Sequence, residues 1–150
     1  MEFFLQLGPM GLFIAAFLAA TILPLSSEIV LSALLLNGMA PSGLVIIATT
    51  GNVLGSLVNY ALGFWAGRVA IQKWLRMSED DLLQAEQRFN TYGMLSLCFA
   101  WVPIIGDPLT VVAGILRVSL RWFLVLVTAG KFFRYVVISY LVLKGSAFVI

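Results

Sequence analysis

The sequence predicts an all-α integral membrane protein: an inverted repeat of two re-entrant helical hairpins, each followed by a transmembrane helix, with an amphipathic cytoplasmic helical connector between the halves. Three observations predict it. The 150 residues are 61% hydrophobic and 11% charged, with a mean hydropathy of +1.04, too apolar for a soluble domain of this length. A proline followed four residues later by a carboxylate interrupts an apolar run twice, at Pro24 and Glu28 and again at Pro103 and Asp107, with Gly106 inside the second break. Both breaks lie 79 positions apart, and the same offset carries Thr49 onto Thr128 and Gly51 onto Gly130, the mark of an internal repeat.

The whole chain reads as one membrane domain, with repeat one at 9–67, the connector at 68–92 and repeat two at 93–144. Met1, Glu2, Phe3 and Phe4 lack the basic leader of a secretory signal, so the first apolar run is expected to remain in the mature protein. Residues 9–23 predict a helix of about 22 Å, too short to cross a hydrocarbon core of about 30 Å. Residues 24–28 break it, and 29–37 form a second short helix, ended by Gly38 and a turn over 40–43. Two half-length helices around a polar break predict a re-entrant hairpin, tolerated in a membrane only where protein or a watery cavity covers it.

Residues 44–65 then give a helix of about 33 Å, enough to span. Gly51, Gly55, Gly63 and Gly67 fall every fourth residue along it, with Asn59 at the missing step. Such a stripe favours close helix packing, and Asn52 and Asn59 beside it either bond across helices or line a polar path. In the connector, Arg68, Lys73, Trp74 and Arg76 suit a membrane-interface helix. Ser78 followed by Glu79, Asp80 and Asp81 predicts an N-cap and an acidic first turn. Residues 93–116 repeat the hairpin around Pro103 to Asp107, and 122–143 form the second span, with Lys131 and Arg134 near its middle.

Re-entrant hairpins return to the side they entered, so the chain crosses twice. Arg68, Lys73, Arg76, Arg88, Arg117 and Arg121 then share one side against Lys144 on the other. The positive-inside rule places the connector in the cytoplasm and both termini outside.

Glu28, Asp107, Lys131 and Arg134 are the ionisable residues deep within apolar segments. Each costs about 2.5–3.5 kcal/mol at mid-membrane unless paired, hydrated or neutralised. Two acids at the breaks and two bases three apart on one span make a neutral constellation. A structural account competes: Asp107 before Pro108 suits an N-cap, Ser26 or Ser27 suits the matching cap, and an internal salt bridge absorbs the rest. A functional account has inward-pointing helix N-termini and two cations holding an anionic group such as phosphate, with the carboxylates carrying protons.

In the run from Gly55 to Gly67, the glycines and Tyr60 resemble the G-D-x-x-x-Y-x-x-G-R-x-x-G signature of the DedA superfamily, the VTT or SNARE-associated Golgi protein domain. Ser56 and Phe64 stand where that signature has Asp and Arg. Ala100 through Gly114 is similar to the family's second-hairpin motif, with Ala100 and Gly106 in place of its arginines. Gly106-Asp107 and Gly130-Lys131 with Arg134-Tyr135 are similar to its small YqaA-like branch. The resemblance implies re-entrant helices meeting near the midplane of a bacterial inner membrane. It further implies movement of lipid, polyprenyl phosphate among the candidates, linked to proton-motive force.

The leading functional expectation is a translocase or transporter of an anionic, phosphate-bearing lipid, with protons as an optional partner. A proton or small-ion channel, or a structural or assembly protein without transport, would use the same charges and glycines. With no His, one Cys and no metal-ligand spacing, neither catalysis nor a cofactor or metal is expected. The net charge of +2 carries no nucleic-acid footprint. Two crossings make a small bundle, which leaves homo-oligomerisation open.

Overall fold

The computed structural model describes residues 5–20, 27–66, 73, 78–93, 95–97 and 106–149. Pro24, Pro103, Gly67 and most of the basic half of the connector lie outside them. Among the described residues the fold is all-helical, with six principal helices: α1 (Pro9–Ala20), α2 (Ser27–Leu36), α3 (Pro41–Trp65), α4 (Glu79–Tyr92), α5 (Gly106–Ile115) and α6 (Leu120–Val149). Two of them, α3 and α6, are long and apolar enough to cross a membrane.

Local chemistry sets most of the boundaries. Ser78 caps α4 by accepting from the Asp81 N–H at 3.1 Å, ahead of the acids in its first turn. The expected turn over 40–43 is instead the opening of α3: Pro41 takes the first helical position, where its missing N–H leaves no bond unmade. Asp107 lies within α5, whose described residues start at Gly106, rather than ahead of the helix as a cap. The last span runs on past Lys144 to Val149.

α2 and α5 end alike. Behind α2, Gly38 N–H reaches Leu35 O at 3.0 Å and Met39 N–H reaches Leu34 O at 3.3 Å, with Gly38 at φ +91°. Behind α5, Arg117 N–H reaches Gly114 O and Val118 N–H reaches Ala113 O, both at 3.0 Å, with Arg117 at φ +55°. Both are Schellman closures, and the second asks a side chain to accept the left-handed region that glycine takes freely. The Arg117 guanidinium lies 4.4 Å over the Phe64 ring, a favourable contact beside that bend.

Two apolar clusters hold the bundle. One joins Leu12, Ala16, Leu31, Leu35, Val45 and Ala48 from α1, α2 and α3 to Tyr135 of α6. The other joins Leu82, Ala85 and Phe89, the apolar stripe of α4, to Leu109 and Val112 of α5 and Phe123 and Val127 of α6. The rings of Tyr60 and Phe123 lie 4.7 Å apart. Asn52 meets Lys131 further back along α3 and further forward along α6, so these two helices run antiparallel. Outside a narrow buried stripe, α6 exposes Trp122, Phe132, Phe133, Tyr140 and Leu141, a surface suited to hydrocarbon rather than water.

The glycine stripe of α3 serves two neighbours, not one. Added Cβ atoms at Gly51 and Gly55 would lie 2.5 Å from the Phe13 and Phe17 carbonyl oxygens of α1. One at Gly63 would strike the Val111 carbonyl of α5, while Gly114 of α5 presses in return against the Tyr60 carbonyl. Two helices therefore cross α3 backbone to backbone, at successive points along a single face.

Candidate functional site

Midway along α6, Lys131, Arg134 and Tyr135 project three and four residues apart, so they share one helix face. Each meets a polar partner on another helix. Lys131 Nζ donates to Asn52 Oδ1 of α3, and the lysine is only 1% exposed. Arg134 pairs with Glu28 of α2, with side-chain exposures of 17% and 26%. Tyr135 OH and Ser27 Oγ share a hydrogen bond of 2.7 Å, both residues being buried. Three contacts thus tie the middle of α6 to the first turn of α2 and the middle of α3.

The first turn of α2 carries the positive end of the helix dipole, where backbone N–H groups have no partner within the helix itself. Glu28 places its carboxyl group there, and Arg134 brings a guanidinium with five donors, more than one carboxylate consumes. Lys131 adds a cation one helical turn away, inside a shell where a charge costs several kcal/mol unless solvated by dipoles or a counter-charge. Chemically, the site is two cations and one carboxylate at a helix N-terminus, suited to binding an anion in exchange for the internal acid.

Asn52 and Asn59 do bond across helices. Asn52 Nδ2 donates to Ala16 O of α1 at 2.9 Å, while its Oδ1 accepts from Lys131, so one amide joins α1, α3 and α6. Asn59 Nδ2 donates to Ala20 O at 2.7 Å and reaches Thr110 Oγ1 of α5 at 3.2 Å. One amide nitrogen of α3 thus reaches both α1 and α5. Tyr60 OH donates to Val118 O at 2.6 Å, pinning α3 to the turn after α5.

The structure therefore brings Glu28, Asn52, Lys131 and Arg134 together, and sets Asn59 apart beside α5. The side chain of Asp107 lies outside what is described. Ser27 and Tyr135 were missed as site residues. Their signal was a hydroxyl beside Glu28 and a phenol one turn past Lys131, each polar tip set in an apolar run. Among the described residues, no group of His, Cys, Asp and Glu is placed to hold a metal ion.

Fold and site together define a class: a helical membrane protein with paired ionisable groups set inside its bundle. The chain belongs to the DedA family of VTT-domain membrane proteins, in its YqaA-like branch; the VTT domain matches residues 23–144, which include every site residue above. It is 37% identical over 136 residues to the inner membrane protein YqaA of Escherichia coli, covering 90% of this chain and 91% of that protein. An uncharacterized protein of Haemophilus influenzae is 33% identical over 138 residues, covering 87% and 84%. An alkaline phosphatase-like protein of Lactococcus lactis subsp. cremoris is 33% identical over 99 residues, 59% of this chain but 45% of that one. No solved structure matches the chain.

Proposed function

We propose that the protein is an inner-membrane translocase for an anionic, phosphate-bearing lipid, of which a polyprenyl phosphate is the leading candidate, with proton coupling through Glu28 and Asp107. One observation carries the reading: a lysine enclosed in an apolar bundle, one turn from an arginine held at a helix N-terminus. Charges at such depth are expensive, and where they persist they mark paths for ions, protons or charged substrates. The phosphate would displace Glu28 from Arg134 and take up the α2 N-terminus, while proton uptake by the released carboxylate would keep the site near neutral.

The fold reading beneath this is an inverted repeat of two re-entrant hairpins. Its support is a shared offset: the ten described residues of α2 and of α5 end at 36 and 115, and α3 and α6 begin at 41 and 120, each pair 79 apart. Ten residues give about 15 Å, half of a hydrocarbon core. The amide nitrogens of Asn52 and Asn59 both donate to α1 carbonyls, which favours a scaffold role for both over a place in the lipid path.

Alanine at Lys131 or Arg134 is expected to abolish transfer of a polyprenyl phosphate between leaflets of phosphatidylcholine liposomes, compared at equal amounts of folded protein. No transfer by the wild type would sink the proposal, unchanged transfer in both variants would remove the two cations from the mechanism, and conductance regardless of lipid would turn the protein into an ion channel. Topology has its own test, in a Cys98→Ser background: cysteines at Gly38 and Val118, labelled in oriented membranes, are expected on opposite faces, Gly38 outside and Val118 in the cytoplasm. Labelling of both from outside would replace the hairpins with four simple crossings.

A further inference from the structure

The repeat offset reappears inside the site. Asn52 and Lys131, bonded to each other, are 79 positions apart, so each is the other's counterpart in the two halves. When two halves are related by a two-fold axis, a residue touches its own counterpart only where the axis passes between them. Several independent features agree on that relation. The left-handed residues closing α2 and α5, Gly38 and Arg117, are 79 apart as well. α2 packs on α6 through Ser27 and Tyr135, as its counterpart α5 packs on α3, the counterpart of α6, through Gly114 and Gly63. The antiparallel contact of α3 with α6 is its own counterpart.

We infer that the Asn52–Lys131 contact lies on the pseudo-two-fold axis of the molecule, and that Lys131 is a single cation shared by both halves. This rests on the translocase reading above and deepens it. A two-fold axis in the membrane plane exchanges the two faces of the bilayer. A charge on that axis keeps the same surroundings whichever half opens, so one ammonium serves an anionic head group arriving from either side. Arg134 is different: its counterpart is Gly55, filled by the α1 backbone, so its cation belongs to one half alone.

The test is an exchange. In the same liposome assay, Lys131→Asn alone is expected to lose transfer by about tenfold or more, the scale of one lost transition-state contact of ~1.4 kcal/mol. Asn52→Lys alone sets two ammonium groups against each other and is expected to lower the melting temperature in detergent. The double variant, N52K with K131N, returns the cation to the axis from the other helix and is expected to recover both melting temperature and most of the transfer. A folded double variant as inactive as K131N overturns the inference, and so does a double variant that does not fold, because a position on the axis accepts the lysine from either side. Should K131N alone transfer lipid normally, Lys131 holds no head group and the inference falls; should the wild type itself transfer none, the translocase reading falls, and melting of the double variant against N52K still decides the placement of the axis.

Discussion

Replacing Arg134 with methionine is expected to destabilise the protein by about 3 kcal/mol, the low end of what breaking a buried ion pair costs. The low end applies because both side chains keep some exposure, 17% for Arg134 and 26% for Glu28. The loss arises from the partner left behind: Glu28 would remain as a carboxylate on a helix whose neighbouring positions, Val30 and Leu31, are fully buried. Changing Glu28 to glutamine in the same chain should return most of that stability, since an amide costs far less to enclose than an uncompensated charge. Thermal unfolding in detergent of the wild type, the two single variants and the double variant measures the coupling. Strictly additive effects would mean that the pair is not formed in solution.

The crossing of α3 and α5 makes the second large prediction. Gly63 and Gly114 each face a carbonyl of the other helix, with Tyr60 C at 2.9 Å and Phe64 N at 3.0 Å from a Cβ placed at Gly114. These are backbone atoms and have no rotamer to retreat into. Gly114→Ala should therefore force the helices apart at a cost of about 1–3 kcal/mol, the usual scale for overpacking. Gly43→Ala supplies the contrast, because nothing lies within 4 Å of its added methyl group and it sits in the first turn of α3. That change should be neutral or stabilising by up to about 1 kcal/mol, from helix propensity alone. Equal melting temperatures for the two alanine variants would show that α3 and α5 do not meet at this distance.

Helix positions were legible in the sequence because their signals are local. A proline suits a first helical turn, a serine before acids caps one, and a glycine closes one. These rules located the start of α4 to the residue, and α2 and α3 to within a turn. Arg117 was not legible as a helix closure, since its left-handed bend follows from its place after α5 and not from residue type. The glycine stripe was legible as a packing face, but not as one shared in succession by two partner helices.

The candidate site divides along the same line. The apolar content, the repeat offset of 79 and the need for Glu28, Lys131 and Arg134 to be compensated were determined by the sequence itself, since the cost of charge in an apolar run holds whatever the neighbours are. Which group compensates which was decided only by tertiary structure. Lys131 found an asparagine amide on α3, Arg134 found Glu28, and Tyr135 found Ser27 108 positions away. Pairing of that kind depends on how two helices are rotated and offset against each other. Side chains far from both members set that docking, so no local pattern encodes it.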